Sequence, residues 1–495
     1  MIPKAILSVA APPGAHHSGG RLLTRLEVDG FKNLLDLSVE LGPFTCIAGV
    51  NGTGKSNLFD AIQFLSLLAD GSMMEAAQEV RGTHTERHGD ARDLFWNGYD
   101  AGEHRMRFAA EMIVPPGDIE DDFGRISEQA TSSFLRYELE LGYQIPHGAE
   151  KIGRLVLLHE SLGYIRKGDA LSKLRFRHSK PLFRDTMIQS KRYGTSYIST
   201  TVEDGDPVIR IHQDGGSRGQ PRPAAASRAR ATVVSTVNSS DDPTILAARR
   251  EMQSWRRLAL EPSALRSSDQ YIDPRSIQSN GLHLPGALFR IGLSNPEDEN
   301  FTSQVYSRVA NRLSDLSGLQ VKSLDVQEDD VRELLTIRLH EMSGVALPAR
   351  SLSEGTLRFL ALCVLLEDPE VRGLICMEEP ENGIHPANLP AMVELVRDLA
   401  VDPMDTPGDD NPFRQVLINT HAPGVVQMTD SNDLLFADTA AYKLPDGRIT
   451  RRLRLRPLEG TWRSANTQDF VTKADILPYL QSPPGAQLTI EGGAA

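Results

Sequence analysis

A glycine-rich loop is the segment whose residue types and spacing point most directly to chemistry. Residues 49–56 read Gly-Val-Asn-Gly-Thr-Gly-Lys-Ser, which fits the G-x-x-x-x-G-K-[ST] spacing of a phosphate-binding loop. The glycines let backbone amides turn inward toward phosphate oxygens, and the start of a helix adds its dipole. Lys55 is predicted to bridge the outer phosphates, and the Ser56 hydroxyl is predicted to bind Mg²⁺. Alone, the loop indicates ATP or GTP binding.

Two adjacent carboxylates follow an apolar strand far downstream. Residues 374–377 are Leu-Ile-Cys-Met, and they lead directly into Glu378 and Glu379. If this strand ends beside the phosphate loop, Glu378 can hold the Mg²⁺ water shell, and Glu379 can polarise the attacking water as a general base. Many strands end in acidic turns, so this interpretation depends on the phosphate loop elsewhere in the chain.

A third segment, Ser-Leu-Ser-Glu-Gly-Thr-Leu-Arg at 351–358, precedes an apolar helical pattern. A serine and a glycine at the start of a helix usually form a cap. The same geometry also presents free backbone amides to an anion. The residues alone leave both interpretations open.

The elements that must position these residues follow from hydrophobic periodicity. Strands are predicted at 22–28, 35–41 and 44–48, and a helix is predicted at 55–69. After residue 300, helices at 301–316, 355–366 and 387–399 alternate with strands at 321–326, 334–340, 374–377 and 415–419. This alternation predicts an α/β fold with a mixed, mainly parallel sheet flanked by helices.

The middle of the chain has a different pattern. Strand-like segments at 105–114, 134–143, 154–159 and 196–202 predict a β-rich lobe inserted into the nucleotide domain, with a helix at 244–260. Residues 215–231 predict a flexible loop from their Gly, Ser, Pro, Ala and Arg content. The predicted domains are a disordered leader at 1–20, core halves at 21–104 and 300–440, an inserted lobe at 105–299 and a small tail at 441–495. A secretory signal is the alternative for the leader.

These motifs, in this order, resemble the ABC-type ATPases of the RecF, SMC and OLD group, and within it the bacterial "predicted ATPase" branch. The resemblance covers about residues 21–100 and 300–440. It rests on Phe-Lys-Asn at 31–33, the phosphate loop through Asn57, Leu-Ser-Glu-Gly-Thr at 352–356, Glu-Glu-Pro-Glu-Asn-Gly-Ile-His-Pro at 378–386 and Asn-Thr-His-Ala-Pro at 419–423.

The resemblance implies ATP and Mg²⁺ as cofactors and a homodimer joined through ATP. In the family, Ser353 and Gly355 of one subunit complete the phosphate shell bound by Lys55 of the other. The catalytic residues implied are Lys55, Glu379 and His421, the last resembling a switch histidine that contacts the γ-phosphate; Ser56 and Glu378 are implied as the metal ligands. The implied nucleotide-binding residues are Lys32, Asn33, Gly49, Asn51, Gly52, Thr53, Gly54, Lys55, Ser56, Asn57, Ser353 and Gly355.

The chain departs from the family pattern in two places. Glu378 stands where most relatives carry aspartate, although its longer arm should still reach Mg²⁺ through water. The metal-sensing glutamine is unassigned, because Gln78 follows the predicted helix too closely. OLD relatives also carry a Toprim nuclease domain, and about 70 residues after His421 leave too little room, so this chain is expected to lack its own nuclease.

Two basic segments are candidate contacts for partners. The net charge of −13 argues against coating nucleic acid by bulk electrostatics, so local patches must carry such binding. Arg166 to Arg192 holds nine Lys or Arg and two acidic residues, with Phe176 and Phe183 interleaved for stacking on DNA. A solvated strand face is the alternative. Residues 448–456 place Arg452, Arg454 and Arg456 on one strand face, which could hold an acidic partner.

The expected function combines these features. No apolar run is long enough to span a bilayer, and three separate cysteines suit a reducing cytosol. We expect a cytoplasmic, ATP-hydrolysing homodimer whose closure controls DNA or a partner nuclease or toxin, in bacterial antiphage defence or DNA repair. One alternative is a low-turnover ATP sensor that restrains a toxin or nuclease. The other is a RecF-like loader at DNA ends or junctions.

Overall fold

The structure is a computed structural model, and it describes residues 21–80, 90–96, 105–116, 119–121, 124–127, 130–145, 153–192, 194–214, 221–239, 241–408, 410–444 and 447–481. The strands are β1 (Leu22–Asp29), β2 (Leu37–Glu40), β3 (Phe44–Ala48), β4 (Arg105–Ile113), β5 (Ile119–Glu120), β6 (Ile126–Ser127), β7 (Phe134–Gln144), β8 (Arg154–Tyr164), β9 (Ile198–Glu203), β10 (Asp206–Ile211), β11 (Arg222–Ala225), β12 (Arg256–Leu258), β13 (Asp269–Gln270), β14 (Val321–Asp329), β15 (Leu334–Glu341), β16 (Ala346–Pro348), β17 (Gly373–Glu378), β18 (Arg414–Thr420), β19 (Leu434–Lys443) and β20 (Ile449–Pro457). The α-helices are α1 (Lys55–Leu68), α2 (Met73–Glu79), α3 (Ala170–Lys173), α4 (Asp185–Met187), α5 (Val233–Thr236), α6 (Pro243–Gln253), α7 (Pro262–Leu265), α8 (Leu284–Gly292), α9 (Phe301–Ser317), α10 (Glu354–Glu367), α11 (Leu389–Asp398), α12 (Pro423–Met428) and α13 (Lys473–Gln481).

A six-stranded sheet positions the predicted nucleotide site. Its order is β12-β17-β18-β3-β19-β20, and every neighbouring pair is parallel except β19 with β20. The phosphate loop follows β3, the carboxylate pair ends β17, and His421 follows β18. Because parallel strands end at the same edge of a sheet, three adjacent strands deliver these residues to one place. The predicted mixed, mainly parallel sheet flanked by helices is confirmed.

An antiparallel sheet of eight strands contains most of the remaining β-structure. Its order is β11-β10-β9-β8-β7-β4-β1-β2, so β1 pairs with both β2 and β4. The strands predicted as an inserted lobe therefore extend a sheet that begins in the first core half. The domain boundaries proposed above remain predictions, and the sheet is continuous across residue 104.

Both faces of the parallel sheet are buried, which explains why β17 is an unbroken apolar run. Leu374 and Cys376 join a core with α1 and the antiparallel sheet. Ile375 and Met377, which alternate with them, join a second core with helices α8 to α11. Each such buried side chain contributes about 1.5–3 kcal/mol relative to exposure. The strand that carries the carboxylates is thus anchored from both sides.

Two local predictions were wrong. The helix predicted at 244–260 ends at Gln253, and Arg256–Leu258 forms β12, which pairs with the edge of β17. Its backbone groups find partners on a strand distant in sequence, a contact that local periodicity cannot report. The loop predicted at 215–231 contains β11, paired with β10, while residues 215–220 lie outside the described residues.

Three further expectations concern the ends of the chain and the membrane. The leader at 1–20 lies outside the described residues. The small tail predicted at 441–495 contains the short helix α13. Among the described helices, none combines the length and the apolar character needed to cross a membrane.

Candidate nucleotide-binding site

The phosphate loop requires glycine at two of its positions for different reasons. Gly54, the residue before α1, has φ +100, and a Cβ there would lie 2.2 Å from Asn33 Nδ2. A Cβ at Gly49 would lie 2.4 Å from the Ala437 carbonyl oxygen. Asn51 and Gly52 are exposed at the loop tip, and Thr53 Oγ1 donates to the Val50 carbonyl at 3.2 Å. The loop leads into the amino terminus of α1, whose first amides are free to bind an anion.

Lys55 lies inside this loop. Its ammonium donates to the carbonyls of Gly49 at 2.6 Å and Val50 at 2.9 Å, and the residue is 6% exposed. Burial lowers the pKa of Lys55, while the carboxylates of Glu379, Glu381 and Glu378 oppose that shift. The lysine and these three carboxylates therefore act electrostatically on one another.

Asn33 ties the turn after β1 to the phosphate loop. Its Nδ2 donates to the Thr53 carbonyl at 2.9 Å, and its Oδ1 accepts from Asn57 Nδ2 at 2.7 Å. Asn33 and Asn57, both predicted to bind nucleotide, therefore stabilise the loop from outside. Lys32 has a different environment, because its ammonium lies 2.8 Å from the buried carboxylate of Asp60 on α1.

The two residues predicted to hold Mg²⁺ are in contact. Ser56 Oγ donates to Glu378 Oε2 at 3.1 Å, although the residues are 322 positions apart in sequence. A hydroxyl and a carboxylate are the hard oxygen ligands that Mg²⁺ prefers. The donor set fits the ion that the phosphate loop implies.

Arg257 is a residue of this site that sequence reasoning missed. Its Nη2 lies 2.7 Å from Glu378 Oε1, and its Nη1 donates to Asp60 Oδ1 at 3.3 Å. It belongs to β12, the segment wrongly predicted as helix. Recognising β12 as a parallel strand beside β17 would have placed this arginine near Glu378. Gln78, the glutamine left unassigned above, lies on α2.

Glu379 and His421 form the second contact pair of the site. Glu379 Oε1 lies 2.7 Å from His421 Nδ1, and Glu379 Oε2 accepts from Asn382 Nδ2 at 2.8 Å. The Glu379 amide donates to Asn419 Oδ1 at 3.0 Å, which holds the residue at φ +45. That left-handed conformation is unfavourable for a side chain larger than glycine, so the surrounding hydrogen bonds must enforce it. Next to it, burial raises the pKa of Glu381, which accepts from Thr420 Oγ1.

Ser353 and Gly355 lie apart from these contacts. The exposed Ser353 caps α10, its Oγ accepting from the Thr356 amide at 3.2 Å. None of the hydrogen bonds among the described residues joins Ser353 to the phosphate loop. A Cβ at Gly355 would lie 3.0 Å from the Gly383 carbonyl oxygen, so this segment packs on the turn after Glu379.

The basic segment at 166–192 differs from its prediction. Phe176 is 6% exposed and Phe183 is fully buried, so neither can stack on a nucleic-acid base, and that part of the prediction was wrong. They pack with Phe413 and Trp462 in a small aromatic core. Tyr193, the residue after this segment, lies outside the described residues.

Comparison with known families adds one match. Residues 222–427 match the protein-family model described as "AAA domain, putative AbiEii toxin, Type IV TA system". The matched segment contains Ser353, the carboxylate pair and His421, and it begins after the phosphate loop. No curated protein matches the sequence.

Three solved structures are similar at low identity. A Smc head bound to the C-terminal winged-helix domain of ScpA is 14% identical, with a TM-score of 0.41 over 88% of this chain and 98% of that one. A Smc head with an extended coiled coil bound to the C-terminal domain of ScpA from Pyrococcus furiosus is 12% identical, with a TM-score of 0.43 over 88% and 96%. The SMC head domain from Thermotoga maritima is 13% identical, with a TM-score of 0.33 over 88% and 99%.

The family match covers the carboxylate pair, and the fold joins that pair to the phosphate loop through the Ser56–Glu378 contact. Glu379 and His421 lie beside this contact. Residues 222–427 are therefore similar to an AAA domain, and the fold places the phosphate loop beside that segment.

Proposed function

We propose that the chain hydrolyses ATP with Mg²⁺, dimerises around ATP, and uses that closure to control DNA or a partner effector. The observation that carries the proposal is the Glu379–His421 pair, 2.7 Å apart, beside the Ser56–Glu378 pair. In this proposal, the residues for metal binding, water activation and phosphate sensing share one sheet edge. Ser353, which a complete site of this type needs, lies elsewhere on the surface.

Ser56, Glu378 and Lys55 are the residues that would hold Mg·ATP. Lys55 would exchange its two loop carbonyls for the outer phosphate oxygens, and Ser56 and Glu378 would hold Mg²⁺ directly or through water. Bound Mg²⁺ would supply charge neutralisation of the phosphates. Glu378 must then release Arg257, whose freed guanidinium keeps Asp60 as its partner.

Glu379 and His421 are assigned to the chemical step. Glu379 would take the proton of the attacking water, because its carboxylate is fixed by hydrogen bonds from two sides. His421 Nδ1 faces that carboxylate and so carries its proton there, which leaves Nε2 toward a phosphate oxygen. Donation from Nε2 requires the imidazolium form, in which both ring nitrogens carry a proton.

The dimer supplies the remaining contacts in this proposal. Ser353 is exposed at the amino terminus of α10, where free amides can bind an anion. With Ser353 outside the phosphate loop of its own chain, a second subunit presenting the same surface would complete the site. Such a contact is self-complementary, as a two-fold symmetric dimer requires.

Bacterial antiphage defence or DNA repair is the proposed setting, and the cytoplasm is the proposed compartment. The family description that matches residues 222–427 names a putative toxin of a type IV toxin–antitoxin system, which supports a setting in bacterial defence.

The Glu379→Gln variant tests the proposal. Hydrolysis should fall by roughly 10²-fold, since the general base is lost, while ATP binding persists and an ATP-bound dimer accumulates. Steady-state phosphate release and mass by light scattering, with and without ATP, measure both effects. Glu370→Gln, an exposed carboxylate outside the site, is the matched control. A wild-type protein that neither releases phosphate nor changes mass with ATP would overturn the proposal.

A low-turnover ATP sensor is the second candidate, and the Arg257–Glu378 ion pair favours it. An arginine that occupies the predicted metal ligand would slow assembly of the hydrolytic site. In that case Glu379→Gln should change the rate less than about tenfold. A RecF-like loader at DNA ends or junctions is the third candidate. Tighter binding to DNA ends or junctions than to continuous duplex DNA would distinguish it from the other two.

A further inference from the structure

Two basic segments that are far apart in sequence meet at one cavity of about 500 Å³. The segment at 166–192 contributes one wall, and β20, from the segment at 448–456, contributes another. Strand β2, at the edge of the antiparallel sheet, closes the third side. Six cationic side chains line the cavity, namely Arg25, Lys173, Arg175, Arg452, Arg454 and Arg463.

The lining is positive although the whole chain is acidic. Three carboxylates, those of Asp36, Glu40 and Asp469, line the same cavity, so the cations exceed them by three, six against three. Five of the six cations pair with a carboxylate, namely Arg25 with Glu27, Lys173 with Glu111, Arg175 with Glu40, Arg452 with Asp36 and Arg454 with Asp438. These pairs hold the cationic side chains in place around the cavity.

Two guanidinium groups in the lining are only partly satisfied by their partners, although Arg175 pairs with Glu40 through Nη2. Arg463 is 5% exposed, yet it donates only to the carbonyls of Glu40 and Asn432 and to Thr45 Oγ1. In the described part of the chain it forms no ion pair with a carboxylate. The Nε–H of Arg175 is buried without an acceptor. Asp433 and Glu40 act on Arg463 only through space, so a bound anion would give this buried cation a direct partner and would be stabilised.

The surroundings limit the size and type of that anion. A cavity that shares Arg25 is lined by Glu27, Asp29, Glu138 and Glu140, and one that shares Arg175 is lined by several aspartates. The positive region is therefore short and cannot follow a long polyanion. Among the described residues, no aromatic side chain lines the cavity, so these residues offer no platform for base stacking. A planar guanidinium group can donate two parallel hydrogen bonds to two oxygens of one phosphate.

We propose that this basic cavity binds a phosphate-bearing ligand through one or two of its phosphate groups. The source is either a nucleic-acid backbone entering locally or a small phosphate compound. The cavity volume lies in the range of small-ligand sites.

The cavity is mechanically joined to the phosphate loop, and this part rests on the proposed function. The amide of Leu453 on β20 donates to the Asn33 carbonyl at 3.0 Å, and Arg452 Nη1 donates to the Leu35 carbonyl at 3.2 Å. Asn33 in turn holds Thr53 of the loop. Movement of β20 on ligand binding would thus reach the loop, and by linkage ATP and the ligand would alter each other's affinity by the same factor.

Binding is tested without ATP on the full chain. The probes are a short single-stranded oligonucleotide of mixed sequence, inorganic pyrophosphate and polyglutamate, each titrated over a range of salt concentrations. The cavity variant is Arg175→Gln with Arg454→Gln. The matched control is Arg177→Gln with Arg451→Gln, which removes equal charge from the same two segments outside the cavity. Asn466→Asp adds a carboxylate to the lining with little change of shape, in case the double variant fails to fold.

The cavity variant should lose roughly tenfold or more in affinity for a phosphate probe, and the control less than about twofold. Contact with one or two phosphates gives a salt slope no steeper than about −1.4 for the oligonucleotide. Binding of the oligonucleotide alone identifies a nucleic-acid backbone, and cavity-dependent binding of pyrophosphate alone identifies a small phosphate compound. Equal loss in both variants, binding of polyglutamate only, or no binding overturns the proposal. None of these failures touches the proposed ATPase, since ATP is absent throughout.

Discussion

Arg257 and Glu378 form an ion pair of 2.7 Å across adjacent parallel strands, within the candidate nucleotide site. Glu378 uses its other carboxylate oxygen to accept from Ser56. The arginine therefore neutralises a residue that we propose as a ligand of Mg²⁺. Lys32 and Asp60 extend the same network toward the turn after β1.

Arg257→Gln should lower the Mg²⁺ concentration needed for half-maximal ATP binding, because a competing cation leaves Glu378. Partly exposed ion pairs contribute up to about 1 kcal/mol, so the expected shift is roughly three- to fivefold. Titration of Mg²⁺ against a fluorescent ATP analogue measures it. Arg256→Gln, on the same strand, is the control and should change little. A higher Mg²⁺ requirement in the Arg257 variant would show instead that the arginine orients Glu378 for the metal.

Asn33→Ala should weaken ATP binding, because it removes both hydrogen bonds that brace the phosphate loop from outside. At about 1 kcal/mol for each bond, the loss is roughly tenfold or more in Kd. Asn57→Ala removes the 2.7 Å bond to Asn33 Oδ1 but keeps the Asn33–Thr53 bond, so it should have a smaller effect. Isothermal calorimetry of the two variants gives the comparison. Equal losses would mean that the Asn33–Thr53 bond contributes nothing to the loop.

The buried carboxyl of Glu251 on α6 should make stability depend on pH. Burial raises the pKa of Glu251 to about 7, above the ordinary 4.5. The folded chain then binds more protons than the unfolded chain between these values. The stability that the protonated Glu251 carboxyl contributes to the folded chain is fully present below about pH 4.5 and is lost as the pH rises through about 7.

Glu251→Gln keeps an acceptor for Trp255 Nε1, which donates to Glu251 Oε1 at 2.9 Å. Relative to the wild type, the variant should lose less unfolding free energy between pH 5 and pH 8, by on the order of 2 kcal/mol. Urea unfolding at the two pH values measures the difference. Parallel pH profiles for the two proteins would contradict the assignment.

Much of the nucleotide site was predictable because its signals are local. The phosphate loop combines a fixed glycine spacing with an apolar strand before it and helical periodicity after it. The apolar run before Glu378 likewise indicated a strand buried on both faces. Once both strands were placed in one parallel sheet, the contact between Ser56 and Glu378 followed from the rule that parallel strands share an edge.

The features that were predicted wrongly or not at all have physical causes that a single sequence does not reveal. Strand β12 is three residues long, and only its pairing with β17 makes it a strand, so Arg257 escaped notice. Phe176 and Phe183 looked available because basic residues surround them, yet both belong to a small aromatic core. Arg175 and Arg454 line the same cavity because β2 and β20, at the edges of two different sheets, both border it. Hydrophobic periodicity does not encode that arrangement.

The composite site is the central claim, and mixing two inactive variants tests it most directly. Lys55→Ala removes the phosphate lysine, and Ser353→Arg blocks the surface proposed to complete the partner's site. Each variant alone should be nearly inactive in phosphate release. In an equal mixture, half of the two-fold dimers combine the variants and contain one intact site, so about a quarter of the wild-type rate should return. A mixture that stays as inactive as its components, although the two chains exchange, would contradict a site shared between subunits.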